Sequence, residues 1–291
     1  MSYVKVKDFR INYEVTCDVE GPTLLLVPGF SEQIDSIEYP KEQCHVFADH
    51  GFRVVRMENR DSGYSIPTVS EKHIQPYDLK NLADDVSAVI NDLGLETVHL
   101  IGASMGGYIA RWAAIRHPEQ IQTLTIAMSG SGAGIQDDGP QMAQDSAEQI
   151  GGYLERRSRE DQILWNLDVW RWLWGNEYPF PEEWVKKQLA YSFDRAYSPE
   201  GNGRLLQALL NTPALWDVQK TISCPTLVMH GGEDRVFPQE HGEAIAKRIS
   251  GAEFWLDPKM GHSMHQEQWE AIATSVDASF LSTVHLEKEN V

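Results

Sequence analysis

Apolar and polar positions along the chain predict a series of strands. The N-terminal residues alternate between charged and apolar over 3–7 and 10–15, which is typical of an antiparallel strand pair. Continuous apolar runs at 23–27 and 53–57 predict strands that are buried on both faces. Similar patterns predict later strands at 97–101, 121–127, 224–230 and 252–256.

Helical periodicity occupies the intervals between these strands. It is clearest at 77–93, where leucine, valine and isoleucine side chains fall on one stripe and Gly94 follows the last of them. The pattern also predicts helices at 41–50, 105–116, 239–249 and 265–281. The alternation of strands and helices predicts an α/β fold with a mostly parallel sheet flanked by helices.

The alternation is interrupted in the middle of the chain. Residues 133–212 contain no strand-like run, but they contain polar helical stretches and several tryptophans. We therefore predict a helical cap (a lid) at 133–212, inserted into an α/β core that is formed by 1–132 and 213–291. An aromatic lid excludes water and favours an apolar or ring-bearing substrate. Trp165, Trp172 and Trp184 are the candidate substrate contacts, although packing within the cap would explain each of them as well.

Composition narrows the classes of partner. The formal net charge is -18, from 43 acidic and 25 basic residues. This balance argues against nucleic acid or an anionic membrane as a partner, because both need clustered lysine and arginine. The 3 cysteines are scattered and form no CxxC pair, so neither a disulfide framework nor a cysteine zinc site is expected. The N-terminus lacks the apolar core of a signal peptide, and no run is long enough to span a membrane. We expect a cytoplasmic protein.

The sharpest chemical signal is the run 102–107, Gly-Ala-Ser-Met-Gly-Gly. It fits the G-x-S-x-G pattern of a nucleophile elbow, with a predicted strand before it and a predicted helix after it. A serine on such a tight turn needs small neighbours, and the turn exposes its hydroxyl at the positive end of the helix. Ser104 is therefore the candidate nucleophile.

A serine hydroxyl needs a base to become a good nucleophile. Asp234 and His262 each follow a late strand, so both are expected at the carboxyl edge of the sheet with Ser104. We assign His262 as the base and Asp234 as the acid that orients it. Glu233 is the alternative acid. His265 is the alternative base, and we interpret it as a solvated or helix-capping residue.

Other polar residues receive structural interpretations. His99 and His230 lie in or at the end of predicted strands, where packing is the more common role. The polar run 58–63 is interpreted as a hydrogen-bonded turn below the site. Since no HExxH motif or comparable histidine spacing is present, no metal site is predicted.

Two backbone N–H groups are expected to stabilise the oxyanion. One belongs to Met105, directly after the nucleophile. The other belongs to the loop after the strand 23–27, where Pro28 has no N–H and Gly29 allows close approach. By position, Phe30 is the candidate donor of this loop.

Five segments together resemble bacterial α/β-hydrolases, in particular the branch that contains aclacinomycin methylesterase. They are the runs at 24–29, 53–65, 102–107, 230–234 and 258–262. The resemblance covers nearly the whole chain. It implies the α/β-hydrolase fold and a serine esterase that acts on a small-molecule ester without a metal or organic cofactor. Pro28 departs from the histidine that is common before this glycine in the wider superfamily.

We interpret the chain as a carboxylic ester hydrolase that forms an acyl-enzyme on a small to medium apolar or aromatic ester. A lactonase or a carbon–carbon bond hydrolase with the same triad is the alternative within enzymes. A non-catalytic ligand-binding member of the same fold is the alternative outside them. The serine nucleophile argues against epoxide hydrolase and dehalogenase chemistry, which in this fold use an aspartate.

Overall fold

Strands of the described residues form one mixed sheet. The computed structural model describes residues 2–134 and 137–277, without the side chains of 144, 145 and 147. The eight strands of these residues are β1 (Ser2–Val6), β2 (Phe9–Cys17), β3 (Thr23–Val27), β4 (Arg53–Met57), β5 (Val98–Ala103), β6 (Ile121–Ala127), β7 (Thr226–Gly231) and β8 (Glu253–Asp257).

The strand order across the sheet is β1-β2-β4-β3-β5-β6-β7-β8. β1 and β2 pair antiparallel, β2 joins β4 antiparallel, and every later pair is parallel. This arrangement confirms the predicted α/β fold with its antiparallel N-terminal pair. The parallel strands end at one edge, which is where the candidate site residues were expected to meet.

The sheet is buried on both faces. In β3, Leu25 packs into one hydrophobic cluster, while Leu24 and Leu26 pack into another on the opposite face. Side chains of successive residues in a strand point to opposite faces, so a continuous apolar run is what a doubly covered strand requires.

Helices cover the two faces close to where the sequence predicts them. They are α1 (Lys41–Asp49), α2 (Leu79–Asp92), α3 (Met105–Arg116) and α8 (Glu240–Arg248). α2 begins later than predicted because Asp78 caps it and accepts hydrogen bonds from the N–H groups of Lys80 and Asn81. Of the helix predicted at 265–281, residues 266–268 form a 3-10 turn and 269–277 are helical, whereas 278–281 lie outside the described residues. No helix in the described part of the chain has the length and apolarity to cross a bilayer.

Between β6 and β7 the described chain is helical. This segment contains α4 (Gln144–Gly152), α5 (Arg159–Trp174), α6 (Glu182–Arg195) and α7 (Pro199–Asn211). Buried side chains of α5 and α6 form a cluster with Ile37 from the core. The helices lie within the stretch 133–212, and the division of the chain into core and cap at those boundaries stays a prediction.

Two ion pairs with buried carboxylates connect these helices to the core. Arg195, at the end of α6, pairs with Glu58, and the two side chains are 4% and 0% exposed. Arg204 of α7 pairs with Asp61, with 2.6 Å between Nη2 and Oδ1. Glu58 also accepts the N–H of Ile34 at 3.0 Å. The polar run 58–63 therefore forms the hydrogen-bonded turn that the sequence predicts, and it also anchors the helical segment.

We expect Arg195→Ala to lower the free energy of unfolding by about 3–5 kcal/mol, because it leaves the Glu58 carboxylate buried without its cation. Urea denaturation of both proteins at neutral pH measures the difference. Arg159→Ala removes an exposed pair with Asp194 on the same helical segment and serves as the control, with little expected change. Equal stability of Arg195→Ala and the wild type would contradict the anchoring role.

Candidate active site

Ser104 lies on the turn between β5 and α3. Its backbone has φ 54° and ψ -119°, a conformation that is strained for a residue with a side chain. Hydrogen bonds to the Ser104 backbone hold the turn: its N–H donates to Ala127 O at 2.9 Å, and its carbonyl oxygen accepts from Ser129 Oγ at 2.8 Å and from the Gly107 N–H at 3.0 Å. A Cβ at Gly106 would come within 2.2 Å of Val27 O. Glycine is therefore required for α3 to approach the sheet this closely, as the elbow pattern predicts.

His262 lies on the loop after β8, within reach of the serine. Its Nε2 is 2.9 Å from Ser104 Oγ, and its Nδ1 is 2.8 Å from Asp234 Oδ2. The His262 N–H donates to Leu173 O of α5 at 2.7 Å. One helix of the middle segment thus holds the backbone of the histidine.

Asp234 is buried, and donors surround its carboxylate. Oδ1 accepts the N–H groups of Val236 at 2.8 Å and Phe237 at 2.9 Å, which leaves Oδ2 for His262. On the far side, His230 Nε2 lies 3.5 Å from Oδ2 and 2.7 Å from Phe237 O. These contacts hold the Asp234 carboxylate in place beside the imidazole.

The structure places the alternative acid and base elsewhere. Glu233 accepts a hydrogen bond from Asn176 Nδ2 at 3.1 Å and lies away from His262. The interpretation of His265 as solvated is wrong: it is fully buried against the rings of Trp174 and Tyr178, at 4.4 and 4.7 Å between centroids. It does occupy the N-cap position of the 3-10 turn 266–268, but its side chain makes no capping hydrogen bond. Burial lowers the pKa of His265 to about 4. Its ring partners lie about ninety residues earlier in the chain, so no local pattern could have revealed this environment.

The two residues with the expected oxyanion donors, Phe30 and Met105, line the same cavity as Ser104. Met105 is the first residue of α3, where N–H groups have no acceptor within the helix. In the loop after β3, the Gly29 N–H donates to Glu38 Oε2 at 2.5 Å. This bond occupies the Gly29 N–H, and the next N–H along the loop belongs to Phe30. Asn59 Nδ2 donates to Pro28 O at 2.7 Å and fixes the same loop from below.

A cavity of about 820 Å³, partly open to solvent, lies over Ser104 and His262. Its other lining residues include Phe30, Met105, Tyr108, Ile150, Val169, Trp170, Trp172, Leu173 and Phe237. The lining is mainly apolar and aromatic, with the candidate nucleophile and base at one end. Such a cavity is typical of small-molecule sites.

Of the three predicted tryptophan contacts, Trp172 lines this cavity. Trp165 instead packs against Tyr153, with 4.9 Å between ring centroids, and under Arg157. Trp184 packs against the cluster between α5 and α6. Neither Trp165 nor Trp184 is among the described residues that line the cavity, where the sequence had placed all three. All three lie on helices with weak amphipathic patterns, so the sequence could not distinguish the cavity-facing side chain from the packed ones.

Two glutamates in the same cavity were not singled out from the sequence. Glu32 and Glu38 both line it. Burial raises the pKa of Glu32 to about 7. Burial and the charge of Glu32 raise the pKa of Glu38 well above the usual range for a glutamate. Their spacing in a loop carries no recognisable motif, and only the folded loop brings them together. Across the described residues, no group of three or more His, Cys, Asp or Glu side chains could hold a metal ion.

A family model described as the alpha/beta hydrolase fold matches residues 22–268. The chain belongs to this family. The order of the sheet and the position of Ser104 after β5 agree with that membership.

Relatives of this α/β-hydrolase include two methylesterases. Rhodomycin D methylesterase DauP of Streptomyces sp. (strain C5) is 25% identical over 280 residues, which cover 89% of this chain and 90% of the relative. Rhodomycin D methylesterase DnrP of Streptomyces peucetius is 25% identical over 306 residues, 92% of this chain and 95% of the relative. These relatives confirm the resemblance to the methylesterase branch.

A solved structure shares the fold. The esterase EaEST from Exiguobacterium antarcticum aligns with a TM-score of 0.74 at 23% identity, covering 95% of this chain and 98% of the esterase. At this identity the likeness concerns the fold alone.

Proposed function

We propose that this α/β-hydrolase is a serine carboxylic ester hydrolase that acts through an acyl-enzyme. The observation that carries the proposal is the continuous hydrogen-bonded chain from Ser104 Oγ through His262 to the buried Asp234, opening on an apolar cavity. This chain supplies a nucleophile, a base and a group that orients the base, which are the requirements of acyl transfer by a serine.

In the acylation step, Ser104 Oγ attacks the ester carbonyl carbon while its proton moves to His262 Nε2. Asp234 stabilises the imidazolium and keeps Nδ1 protonated. The carbonyl oxygen becomes an oxyanion that accepts hydrogen bonds from the Met105 and Phe30 N–H groups. The carbon–alkoxy bond then breaks, His262 gives its proton to the departing alcohol, and the acyl group remains on Ser104.

In the deacylation step, water takes the place of the alcohol. His262 accepts one proton from the water as its oxygen attacks the acyl carbon. The second tetrahedral intermediate collapses with cleavage of the bond to Ser104 Oγ, which recovers a proton from His262. The products are a carboxylic acid and the free enzyme, so the cycle consumes one water per ester.

The cavity lining indicates the acyl part of the substrate, and the relatives indicate its alcohol part. The apolar and aromatic lining favours a small to medium ester with an apolar or ring-bearing acyl part. Both named relatives are methylesterases, which favours a small alcohol such as methanol as the leaving group.

We expect Trp172→Ala to raise the KM for a methyl ester of an aromatic acid about tenfold, because it removes an aromatic wall of the cavity. Trp184→Ala is the matched control on the same helical segment, and its packing position predicts a loss of stability with KM unchanged. Steady-state kinetics of both variants with methyl phenylacetate gives the two KM values. If both variants raised KM equally, the assignment of Trp172 to the substrate cavity would be wrong.

The function itself is tested by product analysis with a defined panel. Methyl phenylacetate, methyl hexanoate, γ-caprolactone and a ring-opened aromatic diketone are each incubated with the protein, and acids are identified by mass spectrometry. The proposal predicts turnover of the methyl esters. Turnover confined to the lactone or to the diketone would replace it with a lactonase or a carbon–carbon bond hydrolase.

A further inference from the structure

The cavity lining contains two carboxyl groups that do not belong to the triad, those of Glu32 and Glu38. Glu38 is 8% exposed and lines the cavity that holds Ser104 and His262. A Cβ at Gly29 would lie 2.9 Å from Glu38 Oε1 and 3.1 Å from Ser104 Cβ. The carboxyl group and the nucleophile side chain are therefore about 6 Å apart or closer, a range over which charges inside a protein interact strongly.

Glu32 places a second carboxyl group beside the first. It lines the same cavity and also an adjoining one of about 690 Å³ under α5 and α6. Ser36 Oγ donates to Glu32 Oε2 at 2.5 Å, which holds the side chain in place. The charge of Glu32 raises the pKa of Glu38, so the two carboxyl groups are close enough to interact electrostatically.

No cation offsets this pair in the described part of the chain. The groups that act on the two glutamates there are Ser36 and the backbone N–H groups of Gly29, Ile37 and Glu38, together with the mutual repulsion of the pair. Burial raises the pKa of the Tyr39 and Tyr153 phenols, and the charge of Glu38 at Tyr39, or of both glutamates at Tyr153, raises it further. The remaining titratable groups among the described lining residues of the cavity are Tyr108 and His262.

We propose that Glu32 and Glu38 are specificity-determining residues that select the ester by charge, excluding acyl groups with a carboxylate and accepting neutral or cationic ones. The proposal rests on the proposed esterase function, because it concerns the same cavity. An anionic acyl group would enter a site of low polarity beside two carboxyl groups without a cation, and like charges at such distances are strongly unfavourable. A cationic acyl group would gain from the same field.

The selectivity has a predictable pH dependence. Burial raises the pKa of Glu32 to about 7, and burial together with the charge of Glu32 raises the pKa of Glu38 well above its ordinary value. The pair is therefore more protonated at pH 6 and more charged at pH 8.5, so discrimination against an anionic ester should increase as pH rises. Because rates for different esters are compared at the same pH, effects that are common to all esters cancel in the ratio.

The test uses three methyl esters of similar length whose acyl chains end in a neutral, an anionic or a cationic group. They are methyl hexanoate, monomethyl adipate and the methyl ester of 5-(trimethylammonio)pentanoic acid. For the wild type at pH 8, we expect kcat/KM for the neutral ester to exceed that for the anionic one by roughly tenfold to hundredfold, with the cationic ester at or above the neutral one. Glu32→Gln should reduce the neutral-to-anionic ratio about tenfold, and Glu38→Gln should reduce it less, because the pKa of Glu38 is raised well above its ordinary value.

The control is Glu119→Gln, which removes the same charge from an exposed position outside the cavity and should leave the ratio at the wild-type value. Binding of the three esters to Ser104→Ala by calorimetry gives the charge preference without turnover. A ratio unchanged in both cavity variants, with no charge preference in binding, would overturn the proposal. A charge preference in binding without hydrolysis of any ester would support the pair and overturn the esterase function instead.

Discussion

Ser104→Ala will lose nearly all ester hydrolysis, with kcat lower by about 10⁴-fold or more. The substitution removes the oxygen that forms the acyl-enzyme, and the remaining groups can only bind the ester and stabilise an oxyanion. Steady-state kinetics with methyl phenylacetate measures the loss. Folding should be retained, because alanine fits the space of serine and Ser104 holds its turn through backbone groups.

Ser70→Ala provides the control for this experiment. Ser70 is exposed and bonded to His73, away from the cavity, so its removal should leave kcat unchanged. If Ser104→Ala kept a substantial fraction of wild-type kcat, another group would have to be the nucleophile.

The two histidines of the loop after β8 are expected to separate catalysis from stability. His262→Ala should lower kcat by about 10⁴-fold with a nearly unchanged melting temperature, because it removes the base that contacts Ser104. His265→Ala should instead lower the free energy of unfolding by about 2–4 kcal/mol, because it empties a site between two packed rings.

Thermal denaturation and kinetics on the same preparations distinguish the two effects. The comparison is informative because both substitutions remove an imidazole and the two residues are three positions apart in the chain. A catalytically dead but stable His265→Ala, beside an active His262→Ala, would reverse the assignment of the base.

Much of the fold could be predicted because the physics of buried strands is local. The continuous apolar run of β3 and the apolar stripe of α2 can be recognised from the spacing of apolar residues alone. The elbow at Ser104 was recognisable for the same reason, since its strand, its small neighbours and its helix are contiguous in the chain. The chosen acid and base also follow from position, as each directly follows a strand of the parallel sheet.

What could not be predicted depends on contacts between distant segments. His265 is buried because the rings of Trp174 and Tyr178, which belong to the helical segment, pack against its imidazole. Trp172 faces the cavity and Trp184 does not, a difference set by how α5 and α6 pack together. In the sequence, nothing distinguishes Glu38 from other loop glutamates. In the structure, its hydrogen bond to the Gly29 N–H places it beside the nucleophile.

The most direct test of the account is covalent labelling of the intact protein with a fluorophosphonate, followed by mass spectrometry and peptide mapping. An activated serine attacks the phosphorus, displaces fluoride and keeps the phosphonyl group. The account predicts one label per chain, located at Ser104 and absent from Ser104→Ala and His262→Ala. An unlabelled wild-type protein, or a label on another residue, would contradict the assignment of Ser104 as the nucleophile.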